Sequence, residues 1–293
     1  MTSQPRRFLL YCATVIVPVA GMLAVTAVTA NARTTAAVTA GPSTPSAASA
    51  LARAAIEKLA VGQHPLNHLV NVSSPPGRLK GLSKVQSTNW SGYADTGSSF
   101  SKVSASWTEP SAACSSGQEQ LAAFWVGIDG YSSSSVEQDG TLIECYGGRA
   151  YQYSWWELYP TNDIQVVGET VTGGDAITST VTKSGTSYTL TVTDSTHTAD
   201  SFTKTETCSS CANSSAEWIA EAPSGASSIY PLADFKSWTA SKASVTEGSA
   251  SGVISSFTDD EITMVDNSGR TKALPGSLNS SGNGFSVTWE RSS

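Results

Sequence analysis

AITSTVTKSGTSYTLTVTD, residues 176–194, is the stretch on which the fold turns. Ile177 and Val181 stand opposite Thr178, Thr180 and Thr182, and after a break at Ser184 and Gly185 the same two-residue period resumes in Tyr188, Leu190 and Val192. Successive side chains of a β-strand point to opposite sides, so the pattern describes strands with one apolar and one polar face. It recurs outward in both directions, in Val103, Ala105 and Trp107 and again in Phe285, Val287 and Trp289, with turns rich in Gly, Ser, Asn and Asp between. After Ser87 no segment carries the spacing of an amphipathic helix. About two hundred residues of short strands without an internal repeat predict an all-β fold, a single antiparallel β-sandwich of two packed sheets, concanavalin- or jelly-roll-like, over residues 87–293.

What precedes that domain reads differently. Arg6 and Arg7 stand ahead of an apolar stretch from Phe8 to about Val28, followed by the small-residue pattern Ala30-Asn31-Ala32, which predicts an export signal over 1–32 and a secreted, extracellular protein. The apolar stretch is also long enough for an uncleaved membrane anchor, the alternative reading. Residues 33–86 are rich in Ala, Thr, Ser and Pro; GPSTPSAASA (41–50) cannot bury a core, and LARAAIEKLA (51–60) has the spacing of one short helix. Residues 1–86 hold eight Lys/Arg and one acid, Glu57, whereas 87–293 hold nine against 23 acids, so net charges of +7 and −14 make up the total of −7. A basic segment ahead of an acidic domain suggests a pro-region held by charge; a solubilising linker is the plainer alternative. A domain at −14 is a poor partner for nucleic acid or an anionic membrane, and it should be more stable in mild acid than at neutrality. We expect a monomer.

Five cysteines become four once Cys12 leaves with the signal, and the expected pairs are Cys114 with Cys145 and Cys208 with Cys211. The spacing of the second pair also occurs in metal and redox sites, but no second thiol pair or histidine cluster accompanies it. His197, in a polar stretch resembling a hairpin end, is the one histidine after residue 87. A histidine triad or zinc cage is therefore poorly supplied, and we expect no metal and no cofactor.

Strand period places the polar groups. In YQYSWWELYP (151–160), Tyr153, Trp155, Glu157 and Tyr159 share one face and Ser154, Trp156 and Leu158 the other; in AEWIAE (216–221), Glu217, Ile219 and Glu221 share a face against Ala216, Trp218 and Ala220. With these stand NWSGYA (89–94), FWVGIDG (124–130) and VEQDG (136–140). Five such motifs in this order resemble the glutamic peptidases, or eqolisins, particularly their bacterial branch, over nearly all of residues 87–293.

The resemblance implies an acid endopeptidase acting on proteins and peptides, with Gln138 and Glu221 as catalytic dyad and Trp90, Trp125, Asp129, Glu157 and Tyr159 lining the substrate cleft. The chemistry has its own logic. Amide hydrolysis needs a base for water, a donor for the developing oxyanion and a proton for the departing nitrogen. A carboxylate at Glu221 could supply the first and third in turn while the Gln138 amide supplies the second. An ordinary glutamate titrates near ~4.3, which suits work in acid. Glu217 competes with Glu221 for the role, and Asp139 is expected to place an extra charge beside the dyad. Other readings are a carbohydrate-binding sandwich, with Glu157 and Asp129 on an aromatic face, and a glycosidase using Glu157 and Glu221. Asn71, Asn89, Asn213 and Asn279 open glycosylation sequons.

Overall fold

The computed structural model describes residues 83–225 and 228–293, together with residue 50 and the two-residue strand at 69–70. The expected export signal, the low-complexity stretch and the helix over 51–60 lie outside the described residues, residue 50 apart. In chain order the strands are β1 (Leu69–Val70), β2 (Ser83–Ser87), β3 (Trp90–Thr96), β4 (Phe100–Thr108), β5 (Gln120–Asp129), β6 (Val136–Tyr146), β7 (Arg149–Tyr159), β8 (Asn162–Gly168) and β9 (Ala176–Ser184). They continue with β10 (Ser187–Asp194), β11 (Phe202–Thr207), β12 (Ser215–Glu221), β13 (Ser237–Glu247), β14 (Ala250–Gly252), β15 (Asp259–Val265), β16 (Thr271–Pro275) and β17 (Phe285–Trp289). Two single-turn 3-10 helices, Thr198–Asp200 and Ile254–Ser256, interrupt the series.

One sheet runs β8-β7-β6-β5-β12-β3-β15-β2-β1, with β16 against the end of β15 and β17 leading on to the start of β13. The other runs β11-β10-β9-β4-β13-β14. β13 belongs to both: Ser237–Ala240 pair with β17, and after an irregularity between Ser241 and Ser244 the strand pairs with β4. The expected antiparallel sandwich is what folds, with one exception. β2 lies parallel to β15, Ser83 opposite Asp260 through Ser87 opposite Met264.

The core lies between the sheets. Phe124, Val126 and Ile128 of β5, Trp156 and Leu158 of β7 and Trp218 of β12 pack against Val103, Val181, Tyr188, Leu190 and Val192 of the other sheet. Phe124 stacks on Trp238 at 5.5 Å between ring centroids. The opposite, outer face of the first sheet carries a second cluster, in which Trp90, Ala123, Trp125, Leu142, Tyr153, Trp155 and Ile219 are buried. Alternation assigns the faces as the sequence suggests: Tyr153, Trp155 and Ile219 go outward, Trp156, Leu158, Trp218 and Ala220 inward. Both cysteine pairs, Cys114–Cys145 and Cys208–Cys211, are disulfides.

The same alternation corrects one expectation. Asp139 does not stand beside Gln138; one residue along β6, it turns into the space between the sheets, is fully buried and accepts a hydrogen bond from Ser179 Oγ of β9. Burial holds its carboxyl well above the ordinary range, so its charge does not reach the outer face.

Candidate active site

Gln138 sits on β6 between Gly127 of β5 and Glu157 of β7. Its Nε2 donates to Glu157 Oε2 at 2.6 Å. An ionised carboxylate can only accept, so this bond fixes which end of the amide faces Glu157 and leaves the second N–H of the same nitrogen to donate elsewhere. Gln138 and Glu157 are 5 % and 9 % exposed, at the margin of the outer face rather than in the core.

Glu221 closes β12, opposite Trp90 on one side and Ala123 on the other. Its Oε2 accepts from Trp125 Nε1 at 2.9 Å and its Oε1 from Asn89 Nδ2 at 3.1 Å. The indole that makes the first bond also reaches toward Gln138. A Cβ on Gly127 would lie 2.9 Å from the far edge of the Trp125 ring and 3.2 Å from Gln138 Cβ, so the missing side chain is the space in which the ring lies. Trp90 packs edge-on against Trp125 at 5.1 Å between centroids. Its N–H lies near the Glu221 carboxylate and favours the charged form without completing a hydrogen bond of ordinary geometry.

Close packing around Glu221 pushes its carboxyl up to about 8; the Trp125 N–H pulls it back, the Glu157 charge pushes it up again, and Trp90 and Asn89 pull it down. The group is therefore no ordinary glutamate titrating near ~4.3. The Glu157 charge reaches Glu221, and strand alternation places both side chains on the outer face.

The other acid on this face of β12 differs. Glu217 is fully buried, neither carboxylate oxygen accepts a hydrogen bond, and burial raises it well above the ordinary range. Glu221 alone of the two keeps access to solvent. Asp129 lies two residues beyond Gly127, the register partner of Gln138, at the end of β5. It is fully buried with a positive φ of 70°, and it accepts from Asn213 N at 2.7 Å, Ser214 N at 2.8 Å, Ser214 Oγ at 3.0 Å and Ser135 Oγ at 3.2 Å. Those bonds tie the end of β5 to the segment entering β12. Tyr159, half-buried, ends β7 two residues beyond Glu157 on the same face.

Asn89 is the residue that the sequence reading missed. It opens an N-x-Ser sequon, yet it is fully buried, its Nδ2 is committed to Glu221 and its Oδ1 accepts from Ser87 Oγ at 3.1 Å. The signal available was its place directly before Trp90, whose register partner is Glu221.

An outer face of this kind offers carboxyl and carboxamide groups in a setting that shifts protons, which marks the protein as a hydrolase working through acidic side chains. Comparison narrows the class to one lineage. The chain belongs to the Peptidase A4 family, whose description matches residues 88–289, and it is a glutamic-type endopeptidase with protein or peptide substrates. It is 31 % identical over 198 residues to aspergillopepsin-2 of Aspergillus niger, covering 58 % of this chain and 69 % of that protein. It is 34 % identical over 111 residues to scytalidopepsin B of Scytalidium lignicola, covering 38 % of this chain and 41 % of that one. The crystal structure of scytalido-glutamic peptidase with a peptide-based transition-state analog superposes with a TM-score of 0.59 at 26 % identity, over 69 % of this chain and 98 % of that one.

Proposed function

We propose that this endopeptidase cleaves its substrates with Glu221 and Gln138 acting together on one water molecule. The observation that carries the reading is the setting of Glu221, held at both oxygens by neutral donors while the Glu157 of the Gln138–Glu157 pair lies close enough to raise it. The ionised Glu221 takes a proton from water as the water attacks the scissile carbonyl. The free N–H of Gln138 donates to the oxygen as it gathers charge, and the protonated Glu221 then delivers its proton to the departing nitrogen. Glu157 acts through Gln138 by fixing the orientation of the amide.

The raised Glu221 runs against the acid optimum expected of an ordinary glutamate. The protonated form dominates the resting enzyme through the acid range, so kcat/KM should climb on its acid side as Glu221 ionises, and Glu157 helps to set where that limb lies. Trp90, Trp125 and Tyr159 would flank the substrate on the outer face, where aromatic rings and the solvent-reaching Glu221 adjoin. We further propose a secreted monomer, made with an export signal and a basic pro-region that is removed ahead of β2, because β2 pairs with β15 and buries Val85 in the outer cluster, so the folded domain begins before residue 87. Among the described residues no helix is long and apolar enough to cross a membrane.

The test is casein hydrolysis across pH 3 to about 8 by wild type, Glu221→Gln, Gln138→Ala and Glu217→Gln. The first two should fall by about 10³-fold with secondary structure by circular dichroism unchanged, the size of a lost general base or oxyanion donor. Glu217→Gln should keep measurable activity. An active Glu221→Gln enzyme beside a dead, folded Glu217→Gln would transfer the role to Glu217. N-terminal sequencing of the protein recovered from culture medium tests secretion and the removal of the basic segment.

A further inference from the structure

A single histidine after residue 87 argues, on spacing alone, against a metal site. Folding supplies partners that spacing does not reveal. Asp194, the last residue of β10, pairs with Ile177 of β9, which brings it beside Asp175 at the mouth of the same hairpin. His197 then turns back so that its Nδ1 lies 2.9 Å from Asp175 Oδ2. One donor atom from each of Asp175, Asp194 and His197 lies within 4.8 Å of the others.

The two carboxylates are 2 % and 0 % exposed. Asp194 Oδ1 accepts from the backbone N–H groups of Thr196 at 2.7 Å and His197 at 2.8 Å, whereas Oδ2 is buried, accepts no hydrogen bond and faces the Asp175 carboxyl. Asp175 accepts in addition from Thr172 N at 2.7 Å and Thr172 Oγ1 at 3.3 Å. Two carboxylates facing each other out of water repel, and a cation between them removes the repulsion. The His197 side chain is 47 % exposed, so one side of the cluster stays open for water to complete a coordination shell.

We propose that Asp175, Asp194 and His197 form a binding site for a divalent cation of the zinc or manganese kind, structural in role and separate from the peptidase chemistry. An imidazole with two carboxylates and no thiolate suits those ions. The ion would join the start of β9 to the turn after β10. That turn is in turn fastened to the first sheet, since Ser154 Oγ of β7 donates to the Asp200 carbonyl at 2.6 Å and Thr170 donates to both Asp200 carboxylate oxygens, at 3.0 and 2.7 Å.

The experiment takes the purified protein, strips it with chelator and titrates Zn2+ and Mn2+ separately, reading uptake by calorimetry and elemental analysis and stability by thermal melting. Wild type should take up one ion per chain and melt higher, and chelator should reverse the gain. His197→Ala, at a half-exposed position that tolerates truncation, and Asp194→Asn should bind at least about tenfold more weakly, the loss expected when a metal's supporting shell is broken. The proposal is overturned if wild type takes up neither ion at millimolar concentration, the cluster then being an ion pair only. It is equally overturned if His197→Ala and Asp194→Asn, each melting near the metal-free wild type, bind as tightly as wild type.

Discussion

The inner and outer faces of the first sheet carry the same kinds of side chain and treat them in opposite ways. On the inner face, Glu137 of β6 and Asp95 of β3 are fully buried with no hydrogen bond to either carboxylate oxygen, and burial pushes each to about 9. On the outer face, Glu221 is also raised, but Trp125 and Asn89 supply donors and solvent remains within reach. The first arrangement stores protons and the second can exchange them. Position along the strand separates the two cases by a single residue, as Gln138 and Asp139 demonstrate. Glu217 adds a qualification: an outward-pointing acid that is sealed over behaves like the inner set.

The contrast is sharpened most by pH. Carboxyls held neutral in the folded state have folded pKa values above the unfolded ones, near ~4, so their contribution is complete below about pH 4 and is lost as pH rises toward the folded values. For Asp95 and Glu137 that window runs from ~4 to about 9, and for Glu144, pushed to about 8, it closes earlier. Each such group costs up to ~1.4 kcal/mol of stability per pH unit within it. Denaturant midpoints should therefore fall steadily from pH 5 to about 8; Glu137→Gln should flatten that slope over the whole interval, whereas Glu221→Gln on the outer face, its group pushed only to about 8, should flatten it mainly below about pH 7. A wild-type midpoint that rises over this range would break the comparison.

Smaller effects follow on the outer face alone. Gly127→Ala should displace the Trp125 ring that holds Glu221 and lower kcat by about 10²-fold, the size expected of a misplaced catalytic group, with secondary structure by circular dichroism unchanged. Asn89→Ala removes one of two neutral donors to Glu221, and kcat/KM should fall about tenfold, in line with one charge-assisted hydrogen bond. Glu157→Gln removes a like charge, so the acid limb of the kcat/KM profile should move to lower pH, by a shift under about one unit. A limb that moves upward would mean that the orientation of Gln138, rather than charge, is what Glu157 mainly supplies.

Much of this was legible in the residues themselves. Period two places Glu157 and Glu221 outward and Trp156, Trp218 and Ala220 inward without reference to any structure, because a strand's faces follow from backbone geometry alone. Applied to VEQDG, the same rule would have sent Asp139 inward. What period cannot provide is register. The bond from Trp125 to Glu221 and that from Asn89 to Glu221 join residues 96 and 132 positions apart. Nothing local distinguishes Asn89 from a glycosylation site, since the group that occupies it arrives from β12. The direction of β2 was hidden for a related reason, as its partner β15 lies 177 positions further along the chain.

β13 has a consequence of its own. Because one unbroken strand is hydrogen-bonded first to β17 and then to β4, the layers are stitched rather than stacked, and neither can peel away without tearing the seam they hold in common. Unfolding should accordingly be a single cooperative event, with the backbone amides of Trp238 and Val245 exchanging with deuterated water at the same slow, global rate although they sit in different sheets.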